Sequence, residues 1–373
     1  MSQFDQVEKN QNQLEGTVVA VQANFYRVLL EQLQISPINL ENQYLLCTRR
    51  TRLKKIGQKV MVGDRVIVEE PDWQDQRGAI AEVLPRHTEL QRPPIANANI
   101  ILLVFALAEP TLDTWQLSRF LIKAESSKLK LCLCLNKSDL ISQQEQRQWQ
   151  QRLVAWGYNP IFISAIQNQG IELLKSHLQG KIAVVAGPSG VGKSSLINKL
   201  IPSVDLRVGK VSGKLQRGRH TTRHVELFNI PGGGLLADSP GFNQPDLDCD
   251  PADLATYFPE ARNRLSQASC QFNNCYHLDE PNCVVRGDWE RYEYYRAFLE
   301  KTLSYQKQQH NSPDEESSVK LKIKRSGKSQ YEPKLASKKY RRLSRREKHQ
   351  NLQDLYGELV TSQEIYEEVE DLL

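Results

Sequence analysis

The sequence predicts a multidomain fold: an N-terminal OB-like β-barrel, an α/β domain with a mostly parallel sheet, and a C-terminal helical lobe pinned by a metal. Three observations carry this. Short β-like runs crowd residues 16–84, strand and helix patterns alternate from residue 100 onward, and residues 270–283 gather three cysteines and a histidine. Five or so short strands in a segment this small suit the five-stranded OB type. Alternating strands and helices imply a parallel sheet covered on both faces.

A chain of 373 residues has length for two or three domains and a substantial core. No apolar run approaches the roughly 18 residues of a spanning helix. The start, Met1-Ser2-Gln3-Phe4-Asp5, has neither a charged nor an apolar leader region, so a cytoplasmic location with no membrane attachment is expected. Net charge is only +5, but residues 320–348 hold thirteen lysines and arginines against Glu332 and Glu347. Such a block points to a polyanion more than the average charge does. Seven cysteines, an odd number, do not look like a disulfide framework.

Residues 1–13 are polar and read as a flexible leader. The barrel, residues 14–85, takes its strands from 16–21, 25–30, 44–47, 66–69 and 79–84, with Gly63-Asp64 and Gln76-Arg77-Gly78 as turns. Arg49-Arg50-Thr51-Arg52-Leu53-Lys54-Lys55 reads as a basic loop between strands, either a solvated charged face or a contact for an RNA backbone. Pro85-Arg86 and Arg92-Pro93-Pro94 mark a linker.

The α/β domain spans 93–245. Its strands are expected at 100–105, 131–135, 161–163 and 181–186, and its helices at 114–125, 143–156 and 171–178. Cys132 and Cys134 alternate with leucines and read as core filler. After the strand ending at Ala186 comes Gly187-Pro188-Ser189-Gly190-Val191-Gly192-Lys193-Ser194-Ser195, then apolar-periodic residues 196–200. Strand, G-x-x-x-x-G-K-S and helix form a phosphate loop. Its glycines let backbone N–H groups face phosphate oxygens; Lys193 would reach the outer phosphates and Ser194 would ligate Mg²⁺.

The strand ending at Leu135 runs into Asn136-Lys137-Ser138-Asp139, an N-K-x-D. A carboxylate at Asp139 can accept from guanine N1–H and its exocyclic amine, an edge adenine lacks, which selects GTP over ATP. Asn136 would hold neighbouring loops and the purine, and the Lys137 stem would lie over the ring. At Ser164-Ala165 a backbone N–H could meet guanine O6. Downstream, Gly218-Arg219-His220-Thr221-Thr222-Arg223 sits in a segment without strong periodicity, and Thr221 or Thr222 would be a Mg²⁺ ligand. The strand of 234–237 then leads to Asp238-Ser239-Pro240-Gly241, a D-x-x-G, with Asp238 acting on Mg²⁺ through water and the Gly241 N–H sensing the γ-phosphate.

The order of these parts is permuted. Most GTPases begin with the phosphate loop, whereas here Asp139 and Ala165 precede Gly187, and Asp238 comes last. Joining the old termini and cutting elsewhere keeps the same strands in the same sheet. Residues 246–305 then form a helical lobe, with helices at 251–265 and 288–303, around Cys270, Cys275, His277 and Cys283. This C-x₄-C-x-H-x₅-C makes a closed tetrahedral set for one structural Zn²⁺, whereas Cys249 fits no ligand spacing. Residues 306–373 are long and charged; their composition predicts disorder, and their lysines and arginines would either add RNA affinity, the favoured reading, or merely keep the protein soluble. The apolar positions from Leu352 to Leu372 suggest a short acidic amphipathic helix.

The permuted motifs, the barrel before them and the Cys₃His set after them resemble the RsgA family, the small-ribosomal-subunit biogenesis GTPases of bacteria and plastids. The resemblance covers roughly residues 14–305. It implies a GTPase, using GTP/GDP, that binds the immature 30S subunit and its rRNA near the decoding region, aids late maturation, and hydrolyses GTP faster there. By motif match, Asn136, Lys137, Ser138 and Asp139 become base readers, residues 187–195 phosphate binders, and Cys270, Cys275, His277 and Cys283 zinc ligands. Phe242 follows D-x-x-G where Ras-like proteins place the water-orienting Gln. The resemblance gives that role to His220. A monomer is expected, and the alternative is a non-enzymatic RNA-binding module with structural nucleotide.

Overall fold

A computed structural model describes residues 14–31, 44–91, 93–202, 204, 225–238, 247, 249–311, 319–323 and 329–333. The leader, His220, Thr221, Thr222, Gly241 and the expected helix of residues 352–372 lie outside the described residues.

The barrel is built from β1 (Leu14–Gln22), β2 (Phe25–Leu30), β3 (Tyr44–Arg49), β4 (Arg65–Asp72) and β5 (Arg77–Val83), closing in the order β1-β2-β3-β5-β4. Only the β3–β5 pair is parallel. Strand alternation decides which side chains fill it: in β2, Tyr26, Val28 and Leu30 point inward, Phe25 and Arg27 outward. The inward set meets Val18, Leu45, Val66, Val68 and Ile80 in one core. The basic stretch expected as a loop is a helix, α1 (Thr51–Lys55). Leu53, buried at 5% exposure, anchors it to the barrel core while Arg52, Lys54 and Lys55 stay outside.

The expected linker is also structured: β6 (Glu89–Gln91) and β7 (Pro94–Ala96) form an antiparallel hairpin. Arg86 clamps it to the barrel, its Nε and Nη2 donating to the fully buried Asp64 carboxylate at 2.7 and 3.0 Å. At Gly63, φ is +88° and a Cβ would stand 2.0 Å from the Ala96 carbonyl oxygen, so only glycine lets the hairpin approach.

A six-stranded sheet follows. It comprises β8 (Ile100–Ala106), β9 (Lys130–Asn136), β10 (Ile161–Phe162), β11 (Ile182–Ala186), β12 (Leu227–Asn229) and β13 (Leu235–Asp238), in the order β10-β9-β8-β11-β13-β12. All neighbours are parallel except β12, a short strand the pattern did not suggest, which is antiparallel to β13. Every residue of β8 is buried, as a central strand covered on both faces must be. Ile101, Leu103 and Phe105 pack against Leu117, Phe120 and Leu121 of α2 (Thr114–Ser126). Leu102 and Val104 face the opposite layer, α4 (Ile171–Leu178) and α5 (Lys193–Leu200). Between them α3 (Gln143–Ala155) starts at a Ser142–Glu145 capping box. Cys132 and Cys134 are buried in this core as expected, and burial pushes the Cys132 thiol up to about 11.

The next lobe begins with a 3₁₀ turn, Leu254–Tyr257, then α6 (Pro259–Gln267) and α7 (Tyr292–Asn311). Pro259 at the first turn of α6 splits the single helix expected over 251–265, because it supplies no N–H to continue the preceding turn. The lobe's core, with Phe258, Tyr295 and Phe298, incorporates Ile122 of α2. Arg291, fully buried, bonds Glu260 through Nε at 2.7 Å and lies over the Trp156 ring at 4.6 Å. Residues 306–373 separate as a second unit. Within that segment, expected to be disordered, β14 (Val319–Ile323) and β15 (Ser329–Pro333) form an antiparallel hairpin. Among the described residues no helix is long and apolar enough to cross a membrane.

Candidate active site and metal centre

Because β8 to β11 run parallel, their C-terminal ends share one edge, and the loops that leave it converge. Gly187 follows β11 with φ +139°, and a Cβ there would stand 2.1 Å from the Val104 carbonyl oxygen. The phosphate-type loop thus turns against β8 at a distance no side chain permits. Lys193 heads α5 almost fully buried, and its Nζ donates to the carbonyls of Gly187 at 2.8 Å and Pro188 at 2.6 Å. The loop therefore curls around the ammonium that would meet an incoming phosphate.

Asn136 is the keystone. It ends β9 at 2% exposure; its Nδ2 donates to the Val191 carbonyl at 2.9 Å, and its Oδ1 accepts from the Ala165 N–H at 3.2 Å. One amide thereby joins the N-K-x-D, S-A and glycine-rich segments. At Gly192 a Cβ would come within 2.4 Å of that Nδ2, which is why the glycine is needed. Lys137 takes the left-handed conformation, φ +61°, and its Nζ donates to the Glu109 carbonyl. Ser138 N–H bonds the Ile163 carbonyl at 3.0 Å, and half-buried Asp139 lies in the 3₁₀ turn Ser138–Leu140. Ser164 is buried, its Oγ accepting from the Gln167 N–H at 3.0 Å.

Asp238 ends β13 in register with Val185 of β11, two residues before Gly187. The edge thus gathers Asn136, Lys137, Ser138, Asp139, Ser164, Ala165, the loop of residues 187–195 and the Asp238 backbone. Sequence reasoning missed the turn after β8: Glu109 acts through its main chain, and Pro110 Cδ lies 3.7 Å from where a Cβ on Gly190 would sit. A backbone acceptor leaves no side-chain pattern to find.

In the neighbouring lobe, the ligand atoms of Cys270, Cys275, His277 and Cys283 all lie within 4.8 Å of one another. Cys270 and Cys283 Sγ are 3.9 Å apart, and His277 Nδ1 is 3.5 and 3.3 Å from them. A tetrahedral ion with metal–sulfur bonds of about 2.3 Å would separate its sulfurs by about 3.8 Å, so the donor set is compatible with zinc. Burial lowers the His277 pKa, which favours the neutral imidazole a metal requires. The Arg286 N–H donates to Cys283 Sγ at 3.4 Å, and Tyr292 hydroxyl donates to the His277 carbonyl at 2.7 Å, so the site is braced from outside.

A parallel sheet carrying a glycine-rich phosphate loop and an N-K-x-D on adjacent loop edges, in permuted order and behind a closed barrel, defines a circularly permuted P-loop GTPase. The RsgA GTPase family model matches residues 83–248. A Trichormus variabilis protein described as small ribosomal subunit biogenesis GTPase RsgA is 63% identical, covering 93% of this chain and 98% of its own length. A Synechocystis protein of the same description is 54% identical over 91% and 94%. The chain belongs to the RsgA family and is a GTP hydrolase. The crystal structure of YjeQ from Thermotoga maritima superposes with a TM-score of 0.64 at 31% identity, covering 78% of this chain and 99% of that one. YloQ, titled a circularly permuted GTPase, gives 0.63 at 31% identity over 79% and 96%. A guanine nucleotide and Mg²⁺ come with this class of enzyme.

Proposed function

We propose that this protein matures the small ribosomal subunit, binding its rRNA near the decoding region and hydrolysing GTP faster when bound there. The ribosomal part of the reading is supported by relatives described as small ribosomal subunit biogenesis GTPases, and the nucleotide chemistry by Asn136, whose single amide ties the three segments that would read guanine and grip phosphate. Asp139 would select guanine, Ser164-Ala165 would meet its O6, and Lys137 would lie over the ring. N–H groups of residues 187–195 would surround the phosphates, and Lys193 would leave the Gly187 and Pro188 carbonyls for the outer phosphate. Mg²⁺, held by Ser194, Asp238 and either Thr221 or Thr222, would neutralise charge building on the phosphates. His220 would orient the attacking water, and Gly241 would sense the γ-phosphate. Zinc on Cys270, Cys275, His277 and Cys283 would serve structure, since no ligand position stays open.

Family membership decides for the hydrolase over a non-enzymatic RNA-binding module. The test is GTP turnover with purified small and large subunits, alone and with His220→Ala. Turnover should rise with small subunits only, and the variant should lose hydrolysis while keeping GTP affinity. Unchanged turnover in their presence would overturn the reading.

A further inference from the structure

The helix that follows the missed turn belongs to two sites at once. In the turn that precedes it, Glu109 accepts from Lys137 Nζ through its carbonyl, and Pro110 borders Gly190 of the glycine-rich loop. Three residues further, Asp113 caps α2 by accepting from the Trp115 N–H at 2.9 Å. The first turn of α2 is then held by the metal-site lobe. Thr114 Oγ1 and Tyr294 hydroxyl are 2.8 Å apart, Trp115 packs edge-on to Tyr294 at 5.1 Å and tilted on Phe298 at 4.4 Å, and Lys301 Nζ stands over its indole at 5.3 Å. Further along, Ile122 enters the lobe's core and Glu125 pairs with Arg262 at 2.9 Å. Tyr295, one residue from Tyr294, donates to the Tyr276 carbonyl at 2.6 Å beside the cysteine–histidine cluster. A continuous run of packed groups thus joins the metal centre to the lysine proposed to cover the base.

We propose that α2 and the Glu109–Pro110 turn form a lever by which the metal-site lobe sets the grip on guanine, with Trp115 and Tyr294 as positioning residues. The inference deepens the proposed function and rests on Lys137 as a base reader. A helix is stiff along its axis, so a shift of the lobe on its docked partner moves the first turn of α2 as a body. The Glu109 carbonyl moves with it, and Lys137 loses the acceptor that fixes its ammonium. The expected output is faster release of GDP, because the route ends on a lysine proposed to contact the base. In equilibrium terms such coupling is reciprocal: by whatever factor the docked partner lowers GDP affinity, GDP in the pocket should weaken the lobe's hold on that partner.

The experiment measures GDP release from the full-length protein with a fluorescent GDP, with and without small ribosomal subunits, beside GTP hydrolysis in the same samples. The variants are Trp115→Ala, its conservative partner Trp115→Phe, and Tyr294→Phe, which removes one hydroxyl and keeps the ring. In the native protein, subunits should speed GDP release by about 5-fold or more, the low end of common allosteric couplings. Trp115→Ala should bring that acceleration close to one and Tyr294→Phe should reduce it, while Trp115→Phe restores most of it. Unassisted hydrolysis, and co-sedimentation with subunits in the absence of GDP, should stay as in the native protein, while GDP should weaken that co-sedimentation less in Trp115→Ala. A purely structural role would lower the melting temperature and leave the acceleration ratio intact, and that outcome overturns the lever. So does full acceleration in Tyr294→Phe together with Trp115→Ala. If subunits stimulate hydrolysis but never alter GDP release, the lever fails and the proposed function stands; if they stimulate neither, both fail.

Discussion

Removing the Asn136 amide tests the site at the point where its three segments meet. Asn136, Val191 and Ala165 are 2%, 1% and 4% exposed, so Asn136→Ala strands a buried carbonyl and a buried N–H. Each unsatisfied group costs about 1–3 kcal/mol, and water entering the vacated space recovers part of it, which leaves about 2–4 kcal/mol. Expressed in nucleotide affinity, that is roughly 30- to 1,000-fold. Asn136→Asp separates the two bonds: it keeps an oxygen for the Ala165 N–H and turns an anionic oxygen toward the Val191 carbonyl. The loss should then be about tenfold or more, and should fall on the glycine-rich loop alone. Fluorescent GDP titration gives the affinity, and urea unfolding without nucleotide gives the share that belongs to folding. If both variants bind GDP within about twofold of the native protein, the keystone role is wrong.

Asp139→Asn should weaken GTP binding and improve XTP binding, read by competition against labelled GDP; unchanged discrimination would remove Asp139 from base reading. Metal analysis of the purified protein should find one zinc per chain, and Cys283→Ser should lose it along with the cooperative melting of the lobe. A melting curve untouched by that substitution would mean the cluster holds no structural ion. Glu260→Gln leaves Arg291 buried without its counter-charge and should cost about 3–5 kcal/mol in urea unfolding, the usual penalty for breaking a buried pair. A loss no larger than a surface ion pair, below about 1 kcal/mol, would show that the stack on Trp156 suffices.

Much of the barrel and of the sheet was legible because the signals are local. In β2 the alternation of Tyr26, Val28 and Leu30 with outward residues needs no distant partner to be read. The glycine spacing at Gly187 and Gly192 was likewise readable, although the obstacles that demand it, Val104 and Asn136, lie some fifty to eighty residues earlier. What stayed hidden depends on such distant contacts. A single leucine, Leu53, turned a basic stretch from loop into helix, and Arg86 gave structure to a proline-marked linker only because Asp64 waits buried beneath it. Arg291 reads as a surface residue until the ring of Trp156 and the carboxylate of Glu260 are brought to it by folding. Glu109 gave no signal, since its contribution is a carbonyl every residue possesses.

The strand order has a consequence for how the enzyme holds itself together. β8 to β10 come from one continuous stretch and β11 to β13 from another, and within the sheet they touch only where β8 lies beside β11, from Ile100 opposite Ala183 to Leu103 opposite Ala186. Within the sheet, the half that would recognise the purine and the half that would grip the triphosphate thus meet along one seam, and the Asn136–Val191 bond crosses above it. A guanine nucleotide held by both halves would span that seam like a staple, so its loss would loosen the join between the halves as well as empty the pocket.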